Sequence, residues 1–163
     1  MKAFGYTAYT VEEATRRLER YCAYQERCHQ ECHQKLQQMR MIPEAIDQIM
    51  VHLIQNGFLN EERFASAFVR SKFRQKSWGR LRIRRALKLR DISEALIRRS
   101  LKEIEGAQYT EALYALARKR WEQLTGEQNP ERKKQKLLQY LQYRGWETEL
   151  IYDALRELSG DAP

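Results

Sequence analysis

The sequence predicts an all-α protein built as three tandem three-helix repeats forming an elongated, curved, solenoid-like body. Three observations lead there. Only 7 Gly and 3 Pro punctuate 163 residues, too few for a turn-rich β protein. Apolar residues recur at helical rather than alternating spacing. Most telling, Leu36, Met41, Ile46, Met50 and Leu53 return as Leu87, Ile92, Ile97, Leu101 and Ile104, and again as Leu141, Trp146, Ile151, Leu155 and Leu158. The offsets are 51 and then 54 residues, with the same internal increments each time. Such self-similarity is the signature of a stacked repeat.

Each unit reads as three helices, and the repeats are expected to span residues 10–57, 58–106 and 107–159. The first opens at Thr10-Val11-Glu12-Glu13, a capping-box spacing, and runs through Ala14, Leu18 and Tyr21. Its third helix begins at Ile42-Pro43-Glu44. Gly57 ends that helix, and Asn60 caps the next, with Glu61 and Glu62 in the first turn, where the helix dipole favours acids.

The middle repeat then buries Phe64, Ala65 and Phe68 on a helix reaching Lys76, broken by Ser77-Trp78-Gly79. A second helix over residues 80–90 turns Ile83, Ala86 and Leu87 inward, and Ser93 caps a third carrying Ile97, Leu101 and Ile104. The last repeat places Ala112, Leu113, Leu116 and Trp121 on its first helix, followed by a longer link to Asn129-Pro130, a cap and first-turn pair. Residues 1–9 and 160–163 are expected to be loose ends. A unit of about 50 residues is marginal alone, so neighbouring units are expected to share apolar faces.

Charge is concentrated. The chain carries 30 Lys+Arg against 22 Asp+Glu, a formal net charge of +8. Eleven of the basic residues fall between positions 63 and 90, with no acid among them: Arg63, Arg70, Lys72, Arg74, Lys76, Arg80, Arg82, Arg84, Arg85, Lys88 and Arg90. Removing those eleven from the 30 leaves 19 basic against 22 acidic residues elsewhere. Arg63, Arg70 and Arg74 share one side of their helix, and Arg80, Arg84 and Lys88 recur at intervals of four. Like charges at that spacing cost a helix a few tenths of a kcal/mol per pair, a cost that an anionic partner would offset. The residues from Arg70 to Arg90 in this set, with Trp78 between the helices as a base-stacking or packing ring, are the candidate partner- and nucleic-acid-binding residues. A second basic group, Arg118, Lys119, Arg120, Arg132, Lys133, Lys134 and Lys136, is diluted by Glu122, Glu127 and Glu131 and reads as ordinary surface.

Cys22, Cys28, His29, Cys32 and His33 suggest a metal site, but the two i,i+4 pairs point apart and no second cluster completes one. Cys32, four residues before Leu36, fits a core position. No phosphate loop or nucleophile–base pair is present, so neither enzyme activity nor a cofactor is expected. No segment is apolar for long enough to span a membrane, the start lacks a signal peptide's apolar stretch, and three cysteines make no disulfide framework, which places the chain in the cytoplasm.

The run Gly57-Phe58-Leu59-Asn60-Glu61-Glu62-Arg63-Phe64-Ala65, then Phe68-Val69-Arg70-Ser71-Lys72, Trp78-Gly79-Arg80-Leu81-Arg82-Ile83, Leu87 and Asp91-Ile92-Ser93 resembles the signature of the RecX family of RecA recombinase regulators. The resemblance covers roughly residues 14–158. In the first repeat it departs from the family pattern: Met39-Arg40 stands where a Lys-Gly turn is usual. The resemblance implies three three-helix repeats, binding in the groove of the RecA filament on single-stranded DNA, and modulation, usually inhibition, of strand exchange and repressor self-cleavage. No membrane partner is expected, and the chain is expected to act as a monomer. The competing reading is an autonomous helix-turn-helix DNA-binding protein, with residues 80–90 as the recognition helix.

Overall fold

The computed structural model describes residues 8–160; the expectation of loose ends at residues 1–7 and 161–163 lies outside them. Within that span the chain forms α1 (Val11–Tyr24), α2 (His29–Gln38), α3 (Pro43–Gln55), α4 (Glu61–Lys76), α5 (Arg80–Leu89), α6 (Glu94–Leu101), α7 (Gly106–Gln123), α8 (Pro130–Tyr143) and α9 (Thr148–Ser159). No strand occurs among the described residues. The helices group by threes, so the fold is all-α with three tandem repeats.

Local chemistry sets the helix ends. The Thr10 hydroxyl accepts from the Glu13 N–H at 3.1 Å, Asn60 Oδ1 from Arg63 at 3.0 Å, and Ser93 Oγ from Leu96 at 3.3 Å. Asn129 Oδ1 serves two orphan donors, Glu131 and Arg132, with Pro130 at the first helical position. These caps satisfy amides that have no partner within the helix.

The turn between second and third helices is the same in all three repeats. The Met41 N–H reaches the Leu36 carbonyl at 3.1 Å, Ile92 reaches Leu87 at 3.2 Å, and Trp146 reaches Leu141 at 3.2 Å. In each, the residue just before the donor is left-handed: Arg40 at φ 59°, Asp91 at 57° and Gly145 at 89°. Glycine is the natural occupant of such a position. Arg40 adopts it nonetheless, so its departure from the family pattern leaves the turn geometry intact.

The repeats do not share their apolar faces equally. Ala14, Leu18, Cys22, Cys32, Leu36, Ile46, Ile49 and Leu53 form the core of the first repeat, closed by Leu59 from the start of the second. The second and third repeats pool theirs: Phe64, Val69, Phe73, Ile83, Leu87 and Ile97 run into Tyr109, Leu113, Leu137, Leu141, Trp146 and Ile151. Cys28 is the one buried first-repeat residue that reaches this larger core. Three inward assignments of the middle repeat change in detail. Phe68 and Ala86 are only partly buried, while Val69 and Phe73 take core positions on α4, and Ile104, though buried, lies beyond the end of α6.

The two seams between repeats use equivalent positions with different closeness. At the seam of the second and third repeats, Gly79 N–H donates to the Arg144 carbonyl at 2.8 Å and Leu81 N–H to Gly145 at 3.0 Å, backbone against backbone. Fifty-one residues before Gly79 and Leu81 stand Cys28 and Gln30; fifty-four before Gly145 stands Asp91. There the contact passes through side chains, Gln30 Nε2 to Asp91 Oδ2 at 3.3 Å. Side chains at positions 28 and 91 hold this seam wider than the glycine pair allows at the other. Charged groups fill it: Arg63 Nε to Glu26 at 2.5 Å, Arg90 Nε to Glu31 at 3.7 Å, and His29 N–H to Glu61 at 3.3 Å.

Candidate polyanion interface

The eleven cations of residues 63–90 divide into two groups. Five meet carboxylates. Arg63 pairs with Glu26 and also donates to the Gly57 carbonyl at 2.9 Å; Arg90 pairs with Glu31. Arg80 pairs with Glu147 at 3.1 Å, its guanidinium 3.7 Å from the Tyr109 ring centre. Arg84 and Lys88 converge on Glu94, Lys88 at 3.4 Å. The expectation that all eleven lack a counter-charge is therefore corrected. Each member of the regular series Arg80, Arg84, Lys88 thus has a carboxylate beside it, though Arg84 and Lys88 share the single charge of Glu94 while Glu147 of the next repeat serves Arg80.

Six cations remain. Among the described residues no carboxylate pairs with Arg70, Lys72, Arg74, Lys76, Arg82 or Arg85. Arg70, Arg74, Lys76 and Arg85 are exposed, with Arg85 folded back onto the Leu81 carbonyl at 3.3 Å.

Lys72 and Arg82 instead belong to a ladder of rings and cations. Trp78, half-buried in the break between α4 and α5, has Arg82 at 4.2 Å and Lys72 at 5.0 Å from its ring, and Phe68 meets it edge-on at 6.4 Å. Arg90 lies 4.9 Å from the Phe68 ring. On the other side Arg82 reaches the Tyr143 ring at 4.8 Å, and Tyr143 is 75% exposed. The order Arg90, Phe68, Lys72, Trp78, Arg82, Tyr143 thus crosses from the second repeat to the third. Partial burial, and then the neighbouring charges of Lys76, Arg90 and Arg82, hold the Lys72 ammonium below the ordinary lysine value. The cations of this strip are close enough to repel one another. Beside it, Gln25, Glu31, Phe68, Ser71, Lys72 and Arg90 help line a cleft of about 350 Å³ between the first and second repeats.

Half-buried and exposed rings interleaved with cations, most of them lacking a carboxylate partner among the described residues, suit a single strand of nucleic acid. Phosphates take the charges, and bases, all of which have a π face, stack on the rings. Phe68 and Tyr143 went unrecognised as part of this arrangement, Phe68 because it lies in register with core residues. Tyr143 carried a weak signal, a tyrosine next to Arg144 at a helix end.

Elsewhere four of the seven residues in the weaker basic group are occupied as surface chemistry would have it. Lys136 pairs with Glu127 at 2.7 Å, Lys134 with Glu131 at 3.6 Å, and Lys133 and Arg120 lie over Trp121 and Tyr140. Among the described residues, no group of three or more His, Cys, Asp or Glu is placed to hold a metal ion, and no helix is long and apolar enough to cross a membrane.

Known proteins share this architecture and sequence. Residues 60–101 match the family model of the second three-helix domain of RecX, and residues 107–155 match that of its third. A Regulatory protein RecX from Pseudomonas savastanoi pv. phaseolicola is 32% identical over 127 residues, covering 78% of this chain and 79% of the relative. The chain belongs to the RecX family. A further RecX, from Prosthecochloris aestuarii, is 29% identical over 148 residues, covering 91% of this chain and 95% of its own. The crystal structure of RecX from Lactobacillus salivarius superposes with a TM-score of 0.79 at 22% identity, over 91% of this chain and 96% of that one, a likeness of fold. The relatives are regulatory proteins by name, and the RecX fold here carries the strip described above on its second and third repeats.

Proposed function

We propose that this RecX-family chain regulates the RecA recombinase by binding the RecA–single-stranded DNA filament in the cytoplasm, restraining its recombinase and coprotease activities. The observation that carries the reading is the group of six cations without a carboxylate partner among the described residues, Arg70, Lys72, Arg74, Lys76, Arg82 and Arg85, of which Lys72 and Arg82 lie against Trp78 and Arg82 also against Tyr143. A filament groove offers phosphates and acidic protein side by side, and a row of repeats can touch several of its subunits together. The other five cations serve the protein itself: four hold repeats or helices to one another, and Lys88 adds to the Glu94 pair.

The autonomous helix-turn-helix reading has less support. Its recognition helix would be α5, whose Arg84 and Lys88 are bound to Glu94 and whose Arg80 is bound to Glu147. A major-groove reader needs such side chains available for base edges.

Titrating the purified protein into RecA on single-stranded DNA tests the proposal. ATP hydrolysis by the filament is expected to fall with increasing protein. Unchanged hydrolysis at several-fold excess, with no binding to the filament, would overturn it.

A further inference from the structure

Three cysteines lie in the first repeat, and none contributes to the strip. Cys22 closes the buried face of α1, Cys32 sits in the middle of α2, and their Sγ atoms stand 3.6 Å apart in hydrogen-bonding contact. Leu18, Leu36 and Leu53 pack around them, so the two sulfurs are held together by the core of the repeat. A disulfide needs its sulfurs near 2.05 Å, so closure asks for an approach of about 1.5 Å.

The two thiols differ in character. The hydrogen bond from Cys32 lowers the Cys22 thiol below its ordinary value, against the opposing effect of burial, and the guanidinium groups of Arg27 and Arg63 act in the same direction. Glu26, the other charged neighbour, opposes them. Cys32 is pushed up by that bond and by burial, and keeps its proton. Cys28 is pushed up by burial to about 11. Cys22, 6% exposed where Cys28 and Cys32 are fully buried, is the sulfur a small oxidant meets first, and Cys32 stands in contact with it as the resolving partner.

We propose that Cys22 and Cys32 are a redox-modification site, closed to an intramolecular disulfide by a low-molecular-weight peroxide. The Cys22 thiolate attacks one oxygen of hydrogen peroxide: an S–O bond forms, the O–O bond breaks, and the departing hydroxide takes up the Cys22 proton as water. The Cys32 sulfur then attacks the Cys22 sulfenic sulfur. The S–S bond forms, the S–O bond breaks, and the hydroxide leaves as a second water with the Cys32 proton. Two thiols are oxidised and one peroxide is reduced to two waters. The cross-link ties α1 to α2 on either side of residues 25–28, which carry Glu26 and Cys28 to the polar seam with the second repeat. Oxidation therefore stiffens the first repeat beside the seam that side chains, rather than backbone, hold together. In a reducing compartment such a bond is transient, as a sensor requires.

The test is independent of filament binding. The full folded chain is exposed to hydrogen peroxide, the peroxide is removed, remaining thiols are blocked with iodoacetamide in denaturant, and the peptides are mapped by mass spectrometry before and after dithiothreitol. The expected result is a reducible cross-link between Cys22 and Cys32 with Cys28 alkylated, unchanged in Cys28→Ser. Cys32→Ser should instead leave a Cys22 sulfenic acid that dimedone captures. Alkylation of all three cysteines after exposure, or oxidation first at Cys28, in wild-type protein whose helicity is intact by circular dichroism, would overturn the proposal.

Discussion

Gly79 and Gly145 meet backbone to backbone: a Cβ on Gly79 would stand 2.5 Å from the Gly145 carbonyl oxygen, and one on Gly145 would overlap the backbone nitrogen and Cβ of Arg82. This contact lets the second and third repeats close around Tyr109 and Trp146, whose ring centres are 4.6 Å apart. It is also why these two repeats have one core while the first keeps its own.

Alanine at either position should part that seam. Gly79→Ala is expected to cost about 1–3 kcal/mol, as overpacking does. Gly145→Ala should cost more, because its positive φ of 89° adds roughly 1–2 kcal/mol for a side chain. Gly57→Ala, with nothing within 4 Å of the added carbon, should show the φ penalty alone. Urea unfolding followed by tryptophan fluorescence gives the order. Equal losses at all three positions would show that close approach does not matter.

Tyr109 ties the same seam from below. Its hydroxyl accepts from the Arg80 N–H at 3.0 Å and donates to Glu147, and burial keeps the phenol well above its ordinary value, hence protonated. Tyr109→Phe should cost about 1 kcal/mol by leaving the part-buried Arg80 N–H without its acceptor, while Glu147 keeps its pair with the Arg80 guanidinium. Arg84→Gln, which breaks a pair at the surface, should stay within about 0.5 kcal/mol. Thermal unfolding of the two variants side by side decides the matter.

Arg63 should be an anchor of the first repeat, not a binding residue. Arg63→Ala removes its pair with Glu26 and its bonds to the Gly57 and Phe58 carbonyls. Hydrogen exchange is expected to quicken in α1–α3 while α7–α9 stay protected, since the third repeat shares its core with the second. Uniform quickening would mean that the chain opens as one unit.

Reversing Arg70, Arg74 and Lys76 to Glu should leave helicity intact and sharply weaken filament binding. By counterion release the log–log salt slope should shallow by about two, if each cation meets one phosphate of a single strand. Arg84→Gln with Lys88→Gln should bind nearly as the parent does. Fluorescence anisotropy on labelled filaments across a salt series separates the pairs; equal losses in both variants would move the interface onto α5.

Lys72 offers a check with a defined sign. Burial and like-charged neighbours depress its folded-state value, so its proton is held less well in the fold than in the unfolded chain. Its charge therefore opposes folding at neutral pH, and that opposition is relieved as pH rises through the depressed value towards the unfolded one. Lys72→Met should match or exceed the parent in stability at pH 7, with the difference shrinking in alkaline solution, while binding the filament less well. Denaturant midpoints at neutral and alkaline pH report the trend.

The sequence by itself determined the helices, their caps and their threefold recurrence, because those depend on residues three to five positions apart. Thr10, Asn60, Ser93 and Asn129 announced their helices, and the offsets of 51 and 54 residues aligned even the left-handed turns at Arg40, Asp91 and Gly145. The density of positive charge was equally plain. Only the tertiary structure decided which cations remain available to a partner. The carboxylates that claim Arg63 and Arg80 lie 37 and 67 residues away, a distance at which spacing along the chain says nothing about contact. Packing brought Glu26, Glu31, Glu94 and Glu147 to five of the basic residues and set Phe68, Trp78 and Tyr143 among the others. Coulomb attraction fades within angstroms, so neighbours in space, not in sequence, settle which charges are already neutralised.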